Sequence, residues 1–270
     1  MHGLGNDFVF FENPDNIEMD YQSLAIKLCH RQLGIGADGI VAVLPSDVAD
    51  LRMRIINADG SEANMCGNAI RCFARYAYEK GLVQTKTFRI ETFAGIIIPE
   101  VITSGDDVVA VRVNMGKPST ERQFIPMNGN EKEAIHVPVQ IDNQKFYLTS
   151  LLMGVPHTMV FVDDVKTVEL EKIGRIIEKH ALFPKGTNVN FVQVISRDRI
   201  KVRTWERGAG ATLACGTGCC ASAVASILNQ HTNRHVTVDL QYGQLEIEWA
   251  DDGTVFMTGP AVESFSGELN

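Results

Sequence analysis

Long apolar runs are missing from this sequence. No stretch approaches the ~18 unbroken apolar residues of a membrane-spanning helix, so a helical membrane protein is excluded and no membrane partner is expected. The opening residues, MHGLGNDFVF, carry no basic segment leading into an apolar core, so no secretory leader is read there and a cytoplasmic location is expected. Positive charge is also short: 25 Lys plus Arg stand against 33 Asp plus Glu, a formal net charge of −8. Without an overall basic field to gather a phosphate backbone, nucleic acid is not an expected partner. Cysteine is too sparse for a disulfide scaffold, with 6 in 270 residues and no CxxC pair, so reduced thiols are expected. What is present is a globular composition: 45% hydrophobic and 21% charged residues with 13 Phe. That length suits one large or two moderate domains.

Apolar periodicity divides the chain into two halves. In the first, helical spacing over Ser23 to Gln32 is followed by a short buried strand, Gly39 to Leu44, and a strand LRMRIIN closing on Asp59-Gly60. Gly67 to Lys80 places Ala69, Ile70, Phe73, Ala74 and Ala77 on one face before Gly81, which predicts a helix with a glycine stop. Strands through FRIETFAGIIIPEVI and VVAVRVNM end this half near Met115. After a polar connection, strands are predicted at HVPVQI, KFYLTSLL and HTMVFV, a helix over Leu170 to His180, and strands at NFVQVI and KVRTW. A helix rich in Ala, Ser and Cys then follows Cys215, and small residues all round it suggest enclosure on every side. Strands VTVDL, QLEIEW and TVFMTG close the half, with Asp251-Asp252-Gly253 as a turn.

Each half thus runs strands, a Cys-Gly turn, a buried helix, and more strands. Cys66-Gly67-Asn68 opens one helix and Cys215-Gly216-Thr217 the other. A cysteine at a helix start sees unpaired N–H groups and the positive dipole end, so both thiols are expected to have lowered pKa values and to serve as bases. The same N–H groups, from Gly67, Asn68, Gly216 and Thr217, suit a substrate carboxylate. If the halves face each other, one thiolate removes a proton from a carbon and the opposite thiol returns one, which inverts the centre with no metal or pyridoxal cofactor.

Other motifs are weaker. Gly34 to Gly39 matches GxGxxG, but a dinucleotide fingerprint needs strand before and helix after, and here the order is reversed. Cys219 and Cys220 with His231 and His235 fit no usual zinc spacing, so no metal site is expected. Cys29, Cys72, Cys219 and Cys220 are read as buried small hydrophobes. His157 after Pro156, and Glu206-Arg207 at a strand end, are ordinary structural residues in isolation. They become candidates for a zwitterionic substrate, whose ammonium suits a carboxylate and whose carboxylate suits a guanidinium.

Taken together these residues resemble the diaminopimelate epimerase family, pyridoxal-independent enzymes that interconvert LL- and meso-2,6-diaminopimelate in lysine and peptidoglycan precursor biosynthesis. The resemblance runs through almost the whole chain. It rests on residues 2–8 (HGLGNDF), 34–39, Asn57-Ala58-Asp59-Gly60-Ser61-Glu62, Cys66-Gly67-Asn68 with Arg71-Cys72-Phe73, Pro156-His157, Asn188-Val189-Asn190-Phe191, and residues 206–218. It implies an α/β (α+β) fold of two pseudo-symmetric domains, each a curved, largely antiparallel sheet wrapped around a central helix. The domains would be 1–115, with a tail from about 258 to 270 returning to it, and 116–257. It implies that Cys66 and Cys215 are the acid/base thiols, that His157 and Glu206 tune them and orient substrate, and that Asn6, Asn57, Asn188 and Arg207 hold the substrate's amino and carboxylate groups. A homodimer acting on a small amino acid is the expected assembly.

Val155 and Gly39 stand where some members carry a substrate-contacting Asn and a Gln, Ala211 replaces a common Glu, and Ala69 a common Gly. The chain begins directly at the first motif, so a shortened edge strand is expected. Three other functions compete: a proline- or hydroxyproline-type racemase, which a substrate panel distinguishes; a thiol redox protein pairing Cys66 with Cys215; and an amino-acid-binding module, which exchanges no α-hydrogen.

Overall fold

The structure, a computed structural model, describes residues 1–142 and 144–268; positions 269 and 270 of the expected returning tail lie outside the described residues. Contacts divide the chain into two units, Met1–Asn114 with Thr258–Asn270, and Met115–Met257.

The first unit runs β1 (His2–Gly3), β2 (Asn6–Glu12), α1 (Tyr21–Cys29), β3 (Gly39–Leu44), β4 (Leu51–Asn57), β5 (Glu62–Ala63), α2 (Gly67–Glu79), β6 (Ile90–Thr92), β7 (Gly95–Ile97), β8 (Glu100–Ser104) and β9 (Asp107–Asn114). Strands order as β1-β2-β3-β4-β6-β7, with β5 on β4. Pairing is antiparallel except between β2 and β3 and between β4 and β6. All six residues of β3 are buried, because α1 and α2 both pack on it and a parallel neighbour flanks it, which is why it reads as an unbroken apolar run. Helix α2 buries Ala69, Ile70, Phe73, Ala74 and Ala77 against β1, β3, β8 and β9. It stops where Gly81 turns left-handed at φ +70 and Leu82 N–H bonds the Ala77 carbonyl at 2.9 Å, a Schellman closure.

Two expectations shift here. Helix α1 starts at Tyr21 rather than Ser23, since Asp20 caps it by accepting from the Ser23 N–H at 3.0 Å. It ends at Cys29 rather than Gln32, because the chain folds back to bond Ile35 and Gly36 N–H to the Leu28 carbonyl. A Cβ at Gly34 would lie 2.3 Å from the Lys27 carbonyl oxygen, so glycine is required at that return. The long stretch 88–102 is three short strands, folded at Gly95, whose φ is +111. The N-terminal edge strand β1 has two residues and pairs with β2, and His2 bridges Val262.

The second unit runs β10 (Val137–Ile141), β11 (Gln144–Met153), β12 (Val155–Phe161), α3 (Leu170–Glu178), β13 (Asn188–Ser196), β14 (Arg199–Glu206), β15 (Gly210–Thr212), α4 (Gly216–Leu228), β16 (His235–Leu240), β17 (Gly243–Trp249) and the first three residues of β18 (Val255–Gly259), along which the chain passes back to the first unit. Its strands order as β10-β11-β12-β13-β14-β16-β17-β18, with β15 on β14. β12/β13 and β14/β16 are parallel. Helix α4 packs against β11, β12, β13, β14, β16 and β17 and buries Gly216 and Gly218 through Ser226, so its small residues are explained by a sheet curled about it. Helix α3 packs on β13, β14 and β15. Its Glu178 accepts from the Trp205 indole N–H at 2.6 Å and the Gly208 N–H at 3.3 Å, tying it to the Glu206-Arg207 turn.

Candidate active site

Both cysteines singled out from sequence are helix N-caps in extended backbone, Cys66 of α2 at φ −142, ψ 122 and Cys215 of α4 at φ −121, ψ 106. The helical ladders begin at Ile70 N–H to Cys66 O and Cys219 N–H to Cys215 O, each 2.9 Å. The amides of Gly67, Asn68, Gly216 and Thr217 therefore lie ahead of the ladders, where a helix end attracts anions.

In the first unit, Asn6, Cys66 and Asn68 come together. Asn6 Oδ1 accepts from Asn68 Nδ2 at 3.0 Å and from Cys66 Sγ at 3.7 Å, while Asn6 Nδ2 donates to Asp38 Oδ2 at 2.8 Å. Buried Arg71 holds this arrangement from behind. It donates to Asn68 Oδ1 at 2.9 Å, Gly67 O at 3.1 Å and Pro260 O at 3.1 Å. A Cβ at Gly3 would come 2.9 Å from Arg71 Nη2, which accounts for glycine in that motif. Arg31 pairs with Asp7 at 2.8 Å and Asp38 at 2.9 Å. Asn57, at the end of β4, instead donates to Ser61 Oγ at 3.0 Å within its own turn. In the same motif Glu62 takes the Arg54 guanidinium on both oxygens at 2.6 and 2.8 Å.

In the second unit, His157, Thr217 and Cys215 form a line. His157 Nε2 lies 3.0 Å from Thr217 Oγ1, which lies 3.5 Å from Cys215 Sγ. Asn188 joins the strand bearing His157 to the turn bearing Arg207: its Nδ2 donates to Pro156 O and its Oδ1 accepts from Arg207 N–H, both at 2.9 Å. The Arg207 guanidinium donates to Lys185 O at 2.9 Å, and Glu206 accepts from Thr212 Oγ1 at 2.6 Å.

The expectation of lowered thiol pKa values is corrected for Cys215. Burial foremost, and then the negative charge of Glu206, push its pKa well above the ordinary thiol range, outweighing the Thr217 hydroxyl and Gly218 N–H that pull it down. A helix end alone does not offset removal from water. His157 is fully buried and driven down to about 3 by burial, then by Arg207, so its ring is neutral. Burial also raises Cys72 to about 12 and Cys29 to about 11, as befits structural thiols. His231 packs edge-on to Phe161, and His235 faces Glu246 at 4.0 Å. Among the described residues no group of three or more His, Cys, Asp or Glu is arranged to hold a metal.

Sequence reasoning missed Arg71 and Asp38 as partners of the Cys66 cluster, and Asn190 and Thr204 behind His157. The available signal for Asn190 was two-residue alternation: Asn188 and Asn190 share one face of a strand whose other face is apolar.

Solved structures with this arrangement of sheets and helices include a hydroxyproline epimerase from Agrobacterium vitis, determined with bound trans-4-hydroxy-L-proline. It matches with TM-score 0.66 at 15% identity, over 96% of this chain and 86% of its own. A Bacillus anthracis phenazine biosynthesis protein of the PhzF family matches with TM-score 0.65 at 16% identity, over 96% and 91%. The fold is therefore the PhzF/proline racemase-like epimerase fold. Within that class, a profile of diaminopimelate epimerases matches residues 1–121 and 149–263. Proteins named diaminopimelate epimerase from Desulfitobacterium hafniense and Moorella thermoacetica are each 51% identical, over 100% of this chain and 96% and 97% of theirs. The chain belongs to the diaminopimelate epimerase family.

Proposed function

We propose that the protein is an isomerase that interconverts LL- and meso-2,6-diaminopimelate, with Cys66 and Cys215 as the acid/base pair at the α-carbon. The observation that carries this reading is the repeated placement of a cysteine as the N-cap of the central helix of each unit, in a chain of this family. One sulfur takes the α-proton, the other supplies its replacement, and the amides of Gly67, Asn68, Gly216 and Thr217 stabilise the charge that develops on the substrate carboxylate. Asn6, Asn57, Asn188, Glu206 and Arg207 are assigned to the substrate's polar groups, Glu206 to an ammonium and Arg207 to a carboxylate. His157 acts on Cys215 through Thr217. The two units are the two catalytic domains in this reading.

Family membership favours diaminopimelate over a proline-type substrate. Chiral chromatography of LL-diaminopimelate incubated in deuterated water tests it: formation of the meso isomer with α-deuterium is expected, and both should be lost in Cys66→Ser and in Cys215→Ser. Undiminished inversion in both variants overturns the assignment. A cytoplasmic location and a homodimer belong to the same proposal, read from the family resemblance, and are checked by cell fractionation and sedimentation velocity.

A further inference from the structure

Asn190 is wholly buried in β13, and the reading above gives it no task. Its Oδ1 accepts from Thr204 Oγ1 at 3.0 Å, while its Nδ2 lies 3.2 Å from His157 Nδ1 and 3.7 Å from Met159 Sδ. Two neighbours fix this orientation of the amide. The thioether of Met159 can only accept, so the NH2 belongs on its side. On the other side Gly218 presses in so closely that a Cβ there would stand 2.5 Å from Asn190 Oδ1. A Cα–H meets an oxygen favourably in such a place and an NH2 group unfavourably.

An amide NH2 donates, so His157 Nδ1 must offer a lone pair. In a ring kept neutral by burial, the single proton then sits on Nε2. Nε2–H donates to Thr217 Oγ1 at 3.0 Å, and the Thr217 hydroxyl turns its own hydrogen toward Cys215 Sγ at 3.5 Å.

We propose that Asn190 is a positioning residue for the Cys215 thiol: by donating to His157 Nδ1 it holds the Nε2–H tautomer, so the chain Thr204, Asn190, His157, Thr217 directs every hydrogen bond toward that sulfur. The proposal rests on the two-thiol reading and extends it to a residue that never touches substrate. The opposite tautomer would present a lone pair to Thr217, draw the hydroxyl proton to the ring, and leave the sulfur facing an acceptor. The other groups facing Cys215 are Glu206 from β14 and Cys219 one turn along α4, with Arg207 acting on the ring of His157. Glu206 and burial oppose a thiolate, and the directed chain is the counterweight.

The native full-length protein, labelled with 15N-histidine, provides the first test. His157 should show a protonated Nε2 and an unprotonated Nδ1; the reverse overturns the proposal without any variant. Asn190→Asp replaces the donor by an acceptor, so the ring proton should move to Nδ1, with kcat falling on the order of 10- to 100-fold, KM moving little, and the acidic limb of kcat/KM shifting to higher pH. Thr217→Val should shift the same limb while leaving the tautomer in place, and Thr217→Ser should restore the native limb. An unmoved limb in both Asn190→Asp and Thr217→Val overturns the proposal. Native protein with the Nε2–H tautomer that leaves diaminopimelate unchanged defeats the function and not the tautomer. Turnover with a protonated Nδ1 does the reverse.

Discussion

Replacing Gly174 by Ala reverses the usual sign of a glycine substitution in a helix. On helical propensity alone the change should stabilise the protein by about 1 kcal/mol. At this position of α3, however, the new Cβ would stand 2.7 Å from Trp205 Cγ and 2.8 Å from Trp205 Cβ. Those atoms lie next to the backbone of β14 and cannot swing aside as a flexible side-chain end would. The indole is further pinned by its 2.6 Å bond to Glu178 and by the Arg175 guanidinium 5.6 Å from the ring centroid. Helix and strand must separate, and overpacking of this kind costs about 1–3 kcal/mol, with the bond to a charged acceptor adding about 1.5–3 kcal/mol if it breaks. Overpacking less the propensity gain leaves a net loss of up to about 2 kcal/mol with the indole bond intact and about 1.5–5 kcal/mol with it broken, a fall in Tm of up to roughly 8 °C in the first case and roughly 3–20 °C in the second. Thermal unfolding followed by far-UV circular dichroism and tryptophan fluorescence measures it. Gly267→Ala, where a Cβ meets nothing within 4 Å, is the control and should leave Tm unchanged. A Gly174→Ala protein that melts at or above the native temperature refutes the packing argument.

Arg71→Met removes the donors to Pro260, Gly67 and Asn68 and should cost about 2–5 kcal/mol in urea unfolding; Arg71→Lys should not restore it, since one ammonium cannot span three acceptors in a fork geometry. Glu206→Gln removes the like charge beside Cys215, so alkylation of that thiol by iodoacetamide should begin at lower pH, and an unchanged profile contradicts the electrostatic account. His157 titrates at about 3 when folded against 6.5 ordinarily, so its contribution to stability is complete above pH 6.5 and is lost as pH falls from there toward 3. Relative to His157→Gln, the native protein should therefore lose up to ~1.4 kcal/mol more per pH unit across that window, and parallel slopes would show the ring is not held neutral.

The elements that sequence made plain are those whose signal is local. Gly39–Leu44 has the bounds its apolar run predicts, and α2 ends one residue before the expected Lys80 because that residue is its C-cap. The two- and three-residue strands β1, β5, β6, β7 and β15 carry no period long enough to read. The N-terminal strands are masked by the glycines and polar residues of HGLGNDF, whose roles in packing Arg71 and holding Cys66 are tertiary. The parallel pairs β2/β3 and β12/β13 depend on strand order, which adjacent residues do not encode. In the site, the Cys-Gly turns were visible because a polar turn before an apolar helix is unusual. Asn190 was not, because two-residue alternation places it on one face with Asn188 without telling a partner of histidine from a satisfied core amide.

The thiol pKa expectation failed at Cys215 for a related reason: the groups around the sulfur, and not its place on the helix, decide the outcome. The helix N-terminus is common to both units, yet at Cys215 it does not offset burial. Cys66 faces the carbonyl oxygen of Asn6, whose amide is oriented by Asn68 and Asp38. Cys215 faces the Thr217 hydroxyl and the Gly218 N–H, which reward a thiolate, against Glu206 and burial, which penalise it. At Cys215 opposed influences are thus in balance against one another. The two-thiol reaction proposed above needs one sulfur charged and one neutral at the start of each turnover. Divergence of the strands around two similar helices, and not the helices themselves, makes the surroundings of the two sulfurs unlike.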